Sequence, residues 1–283
     1  MKTRDIGTLK EMAMTLRHDV IDMVGYEHKK VGHIGGSCSL ADIMAALYFY
    51  KMNHCAEDPN RPDRDYCILS KGHAALIQYA ALAESGYFPR EDILKVKYLN
   101  SHLQGHPDRR RTKGIEVNTG SLGQGLSQGL GIAMGLAMDG RPGRVYVVMG
   151  DGEQAEGQIW EAAIAASAYK TGNLIGILDN NQLQCTGPIA ERLPQTDFAK
   201  RWESFGWEVI SFDGHDMVQI CDALDKADEI KNKPVLLLAR TVKGKGISFA
   251  EGRPEYHNKE LTYELFLQAH EDIDQMEGKS HDE

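Results

Sequence analysis

Five short apolar runs punctuate this chain: "YCIL" at 66–69, "VYVVM" at 145–149, "LIGIL" at 174–178, "WEVISF" at 207–212 and "PVLLLA" at 234–239. Most are continuous and rich in β-branched residues, the pattern of strands covered on both faces. Helical patterns fall between and around them, at about 73–85, 121–139, 157–170, 197–205 and 216–231. Strands that alternate with helices in this way predict an α/β fold: a doubly wound, mainly parallel sheet flanked by helices. Ahead of the first run, Leu9, Met12, Leu16, Val20, Met23 and Val24 recur at helical spacing and predict an amphipathic helix over 8–28. Ser39 is placed to cap another helix reaching about Met52. No Pro- or Gly-rich linker divides the chain, so residues 1–269 are expected to form one domain. Residues 270–283, "HEDIDQMEGKSHDE", read as an acidic, flexible tail.

Charge and cysteine usage narrow the classes. A net charge of −9 over 283 residues argues against nucleic acid or an anionic membrane as the main partner. No apolar run approaches membrane-spanning length. The five cysteines, Cys38, Cys55, Cys67, Cys185 and Cys221, include no C-x-x-C pair and read as reduced thiols rather than a disulfide or zinc framework. With no signal-peptide pattern at the N-terminus, the expected location is cytoplasmic.

The second apolar run ends in Gly150-Asp151-Gly152, followed by a helical pattern. A glycine-rich turn between strand and helix suits a phosphate, because main-chain N–H groups and the helix dipole point there. A carboxylate between the glycines would repel that phosphate unless a divalent cation lies between them. Magnesium commonly joins one or two protein carboxylates to substrate phosphates through oxygen ligands. The next run, "LIGIL", ends in Asp179-Asn180-Asn181. In a doubly wound sheet, adjacent strands bring their carboxyl ends together, so Asp151 and Asn181 are expected to face each other. A main-chain carbonyl near Leu183 would complete the set, giving a metal that bridges to a diphosphate.

"GDG", then about thirty residues, then "NN" resembles the thiamine diphosphate fingerprint, and nearly the whole chain is similar to the N-terminal half of transketolase. The resemblance implies thiamine diphosphate with Mg²⁺ (or Ca²⁺ or Mn²⁺) held by Asp151, Asn181 and the main-chain oxygen of Leu183, between Gly150 and Gly152. "GHIGGSCSLADI" implies a substrate histidine at His33, although this chain has Ile34 where transketolases usually have proline. "ILSKGHAALIQY" implies that His73 lies near the diphosphate. "GHPD" and "NTGSLGQGLSQGLGIAMG" imply a substrate role for His106 and place Gly120, Ser121 and Leu122 beside the thiamine rings. "EYHNKE" implies that His257 touches both diphosphate and substrate. His33, His106 and His257 are thus the candidate catalytic residues, and an imidazole titrating near neutrality suits proton exchange with a sugar hydroxyl. His18, His28, His54, His102 and His270 receive no role.

The family's activating glutamate comes from a second, pyrimidine-binding domain, and no second βαβ-rich unit follows here. The implied protein is the N-terminal subunit of a split transketolase, which would form a heterotetramer with a separate C-terminal subunit. It would transfer a two-carbon ketol unit from a ketose, usually phosphorylated, to an aldose, in carbohydrate metabolism of the pentose phosphate kind or on a specialised sugar. Alternatives are an alpha-type subunit of a 2-oxoacid dehydrogenase, a non-catalytic scaffold, and a nicotinamide oxidoreductase. The last rests on "GQGLSQG", though Gly125, Gly129 and Gly135 suit close helix packing as well. Arg109, Arg110 and Arg111 read as a solvated loop.

Overall fold

The structure, a computed structural model, describes residues 2–27, 30–192 and 197–279; His28 lies outside them. The five apolar runs become strands β1 (Tyr66–Leu69), β2 (Val145–Gly150), β3 (Leu174–Asn180), β6 (Glu208–Asp213) and β7 (Val235–Arg240). Between β3 and β6 lies a small antiparallel hairpin, β4 (Leu183–Gln184) and β5 (Gly187–Pro188). The main sheet has the order β1-β2-β3-β7-β6, and every neighbouring pair is parallel.

Both faces are covered, as the continuous apolar runs require. Along β2, Val145, Val147 and Met149 point into one core while Tyr146 and Val148 point into the other. The first layer comes from α5 (Gln124–Met138), α6 (Gly157–Ala168) and α8 (Phe198–Ser204), with α7 (Ile189–Arg192) beside the hairpin. The second comes from α1 (Ile6–Val24), α2 (Ile34–Cys38), α3 (Ala41–Ala46), α4 (Ala75–Glu84), α9 (Met217–Glu229) and α10 (Tyr263–Lys279). Helix α1 is capped by Asp5, whose carboxylate accepts from the Thr8 N–H at 2.8 Å, and ends at Gly25 in the left-handed region (φ 58°).

Two local expectations are corrected. The helical run does end at Met52, its C-cap, but Leu40 rather than Ser39 is its N-cap. Helix α3 begins at Ala41, and the chain widens into a π-turn over Leu47–Lys51. The Ser39 hydroxyl is drawn instead to the buried Asp179 carboxylate at 2.7 Å, a stronger acceptor than any main-chain oxygen nearby. The tail expected from residue 270 continues α10 as far as Lys279, because Ala269 and Ile273 are buried against the domain. Residues 280–283 lie outside the described part. All five cysteines are free thiols. Among the described residues no helix is long and apolar enough to cross a membrane.

The glycines of α5 divide by face. A β-carbon on Gly125 would lie 2.8 Å from Ser70 Cα, and one on Gly129 would lie 2.5 Å from a Val147 methyl, so both let the helix sit close on the sheet. The "GQGLSQG" pattern is therefore used for packing inside a helix rather than as a dinucleotide loop. Gly131 and Gly135 meet nothing. Gly125→Ala is expected to destabilise the chain by about 1–3 kcal/mol through overpacking. Gly131→Ala should stabilise it by about 0.5–1 kcal/mol, since alanine suits a helix interior better. Urea unfolding of both variants checks the pair.

Candidate active site

The carboxyl ends of β1, β2, β3 and β7 converge, as their registers dictate: Leu69 pairs with Val148, Gly150 with Asp179, and Asp179 with Ala239. The residues just beyond these ends build the site. At its base Lys71, following β1, forms a buried ion pair with Asp179 of β3 and donates to the Gly36 carbonyl of α2 at 2.8 Å. Asp179 also accepts from Ser39 and from Thr241, which follows β7. Burial alone would raise the Asp179 carboxyl, but Lys71 and these hydroxyls outweigh it and hold the group below its ordinary range.

Asp151 sits beside that pair and is only 3% exposed. Its carboxylate accepts from the N–H groups of Gly152 at 2.7 Å and Gln182 at 2.5 Å. Burial, and then the nearby Asp179 charge, push it up to about 7 despite those bonds. The Gln182 bond holds the turn after β3 against Asp151. Within that turn the Asn181 side-chain oxygen accepts from Leu183 N–H at 3.1 Å, and its amide donates to Asp179 at 3.0 Å. The Leu183 carbonyl accepts from the Lys243 ammonium at 2.8 Å. A carboxylate, an amide oxygen and a main-chain carbonyl thus lie together at the ends of β2 and β3, the carbonyl carrying the Lys243 ammonium. This mixed oxygen set suits a hard divalent ion, although among the described residues no three His, Cys, Asp or Glu side chains are arranged to hold a metal.

A cleft of about 160 Å³ opens over this set, lined by His73, Leu122, Asp151, Asn181, Lys243 and His257 among others. A larger hollow of about 470 Å³, walled by Met134, Arg141, Tyr169 and Lys231, lies at the opposite ends of the strands, where none of the candidate residues converge. Size does not decide between them; convergent polar groups do.

Four histidines form one wall beside the cleft. The ring of His33 lies 5.1 Å from that of His73, 5.3 Å from His257 and 6.4 Å from His106, centroid to centroid; His73 and His257 are 5.0 Å apart. His33 precedes α2 as its N-cap, so Ile34 occupies the first helical position, where proline is also favoured. Gly120 lies against His106, which a β-carbon would approach to 3.0 Å at ring Cδ2. Ser121 is exposed and Leu122 half-buried. The Nδ1 of His257 is buried with no partner, an acceptor or donor left for a ligand.

Burial and nearby lysines lower all four of these histidines from the ordinary range. Burial, aided by the Lys71 charge, lowers His73 to about 2. Burial and Lys97 lower His33 to about 4, and burial and Lys243 lower His257 to about 3. His106 is lowered by burial and Lys97. All four are therefore neutral imidazoles under a positive field. Lys243 itself is lowered to about 8 by burial and Lys71. That field favours an anionic ligand, whose charge would raise the imidazoles again.

Three groups were missed from sequence. Lys71 and Lys243 stand inside quoted or Gly-flanked motifs, "LSKGH" and "TVKGKG", where a lysine reads as a surface charge. Glu153 is buried and accepts from Ser70, from Gly123 N–H at 2.8 Å and from Gly150 N–H at 3.1 Å, so it ties the Gly120–Gly123 loop to the Gly150 turn. Only its place two residues after Asp151 hinted at this. Arg109, Arg110 and Arg111 are exposed, with Arg110 and Arg111 leaning on Asp108, as a solvated loop would.

The Asp151 shift fixes a pH dependence. A carboxyl that titrates near 7 when folded and in the ordinary range when unfolded adds stability at low pH, and that stability is lost as pH rises through about 7. In metal-free protein, the difference in urea midpoint between Asp151→Asn and wild type should therefore grow in favour of the variant from pH 5 to pH 8. A constant difference would contradict the burial of this charge.

The family model for the transketolase thiamine diphosphate-binding domain matches residues 8–273. The 6-deoxy-6-sulfo-D-fructose transketolase subunit SqwG of Clostridium sp. (strain MSTE9) is 42% identical over 261 residues, covering 92% of this chain and 94% of that protein. An apulose-4-phosphate transketolase subunit of Actinobacillus succinogenes is 40% identical over 251 residues, covering 89% and 90%. Among solved structures, transketolase from Campylobacter jejuni superposes with a TM-score of 0.89 at 33% identity, over 95% of this chain and 43% of that one. The chain thus spans about two fifths of solved transketolases.

Proposed function

The chain belongs to the transketolase family as its thiamine diphosphate-binding domain, and from that premise we propose that it is the cofactor-binding subunit of a two-chain transketolase. The observation that carries this reading is the cation already seated on the Leu183 carbonyl, the Lys243 ammonium, beside the buried acid Asp151. A divalent ion held by Asp151, Asn181 and the Leu183 oxygen would take that place and free Lys243 for diphosphate oxygens. His73 and His257, whose Nδ1 is unpartnered, line the same cleft as Gly150 and Gly152 and would meet that anion there. Leu122 lines the cleft, and with Gly120 and Ser121 it would stand beside the thiamine rings.

Thiamine diphosphate, which Asp151, Asn181, Leu183 and His73 would hold through its metal and diphosphate, would supply a carbon nucleophile and an electron sink for cleavage beside a ketose carbonyl. The chain's own residues do the rest of the work assigned to this side of the site. His33 and His106, neutral at working pH, accept the proton of the donor hydroxyl and return it to the acceptor. Each stays close to its partners because Gly120 and α2 fix the ring positions. The donor is a ketose with an anionic group, the class shared by the names of the two bacterial relatives; pentose phosphates belong to it.

A separate pyrimidine-binding subunit completes the enzyme, in a heterotetramer. Relatives of this chain's own length are named as subunits. The outer face of α5 and α6 supports a partner there, since Gly131, Gly135 and Gly157 meet only open space and Met138 and Ile164 are exposed. The purified chain alone should release no aldose phosphate from a ketose phosphate, and mixing it with the complementary subunit should create the activity. Full turnover by this polypeptide alone would overturn the two-chain reading.

Mutants separate the roles further. In the assembled enzyme, Asp151→Ala should lose metal-dependent cofactor binding by calorimetry. His33→Ala should lower kcat or raise the substrate KM with cofactor affinity nearly intact, whereas His73→Ala should weaken the cofactor itself. Matching behaviour of the two histidine variants would count against these assignments.

A further inference from the structure

Helices α1 and α10 pack side by side, and each carries a histidine with an aspartate one turn further along: His18 with Asp22, and His270 with Asp274. The four side chains interlock crosswise. His18 Nε2 lies 3.1 Å from Asp274 Oδ1, His270 Nε2 lies 3.2 Å from Asp22 Oδ1, and the two Nδ1 atoms are 2.6 Å apart. The rings are within 8° of parallel. Parallel rings stacked face to face cannot bring two atoms as close as 2.6 Å, so the imidazoles meet edge to edge, Nδ1 toward Nδ1. Both side chains are about three quarters covered, and the Phe266 ring stands against His270 at 4.6 Å. The surrounding charges are the carboxylates of Asp22 and Asp274, and the Arg90 guanidinium 3.8 Å from Asp22, which also pairs with Asp19 and Glu84.

Counting protons leaves one arrangement that satisfies every contact. Each Nε2 must carry a proton to donate to its carboxylate. The two Nδ1 atoms then hold one proton between them, because two would collide and none would set lone pair against lone pair. We propose that His18 and His270 share a single proton, giving the pair one net positive charge between two carboxylates, and that this clamp positions His33 and His257.

The positioning follows from chain connectivity. His33 lies on the segment that leaves α1, and His257 on the segment that enters α10. The two segments are joined by a β-bridge, Gly32 and Lys259 exchanging main-chain hydrogen bonds of 3.0 Å each way. Fixing α1 against α10 therefore fixes the approach of both segments to the histidine wall. The clamp itself stands on geometry alone; only the roles of His33 and His257 rest on the transketolase reading.

A shared proton fails on both sides of a pH window. In acid a second Nδ1 proton drives the rings apart. His18, lowered by burial and then by the charge of His270, resists that proton when folded, so its contribution is lost as pH falls below the ordinary histidine range. In base the pair loses the shared proton, and a lone pair must then face either its neighbour or a carboxylate. The two steps belong to the pair rather than to either ring.

Hydrogen exchange by mass spectrometry on the full chain from pH 5 to pH 9, corrected for intrinsic rates, tests the clamp. Protection of α10 relative to α9 should pass through a maximum and fall about tenfold or more at each end, the scale of a lost charged hydrogen bond. In His270→Gln and His18→Gln the maximum should vanish. Protection of α10 that tracks α9 at every pH in the wild type would overturn the shared proton. In the assembled enzyme, His270→Gln should alter the pH profile of kcat/KM. An unaltered profile beside the expected exchange result would overturn the positioning of His33 and His257 while leaving the clamp.

Discussion

The buried ion pair of Lys71 and Asp179 is the contact on which the rest of the site depends. It joins the ends of β1 and β3, and through Gly36, Ser39 and Thr241 it draws in α2 and the end of β7. Taking two charges out of water is costly, and their attraction offsets that cost only when the remaining donors and acceptors are satisfied. Here they are, by two hydroxyls, one carbonyl and the Asn181 amide. The pair thus acts as a specific staple for the strand ends and a helix, where an apolar contact would be indifferent to register.

That staple sets the electrostatics around it. With Asp179 already ionised nearby, a second buried carboxylate at Asp151 is disfavoured as an anion, and its proton is held to about pH 7. Burial, aided by Lys71 and Lys243, in turn holds His73 and His257 well below the ordinary histidine range. The site sets cations and imidazoles around Asp151, an acid whose burial beside Asp179 holds its proton to about pH 7.

Much of the fold was legible in the residues. All five strands occur where the apolar runs stand, within a residue or two at the ends, because strands buried on both faces must be apolar throughout. The helices of the first layer were equally plain. Ser39 misled because a hydroxyl before an apolar run is a sound cap signal, and only the fold puts a buried carboxylate within its reach. The segment from 270 misled for a related reason: it is strongly acidic overall, yet Ala269 and Ile273 fall on one face of α10 and find α1 and its neighbours.

For the site, Gly-flanked loops marked Asp151, His33, His73 and His106, the oxygen-rich end of the next apolar run marked Asn181, and only the family resemblance singled out His257. Their mutual placement, with His33, His73, His106 and His257 drawn from four separate loops into one wall, was decided by strand order and register. Lys71, Glu153, Lys243 and the crossed pair of His18 and His270 were invisible along the chain. Each acts through a partner dozens to hundreds of residues away, and a charged or imidazole side chain has no local signature for burial. Sequence determined which segments are apolar on which face, since that is a property of neighbouring residues. Tertiary structure alone decided which charges lose their water, since that depends on what the rest of the chain lays over them.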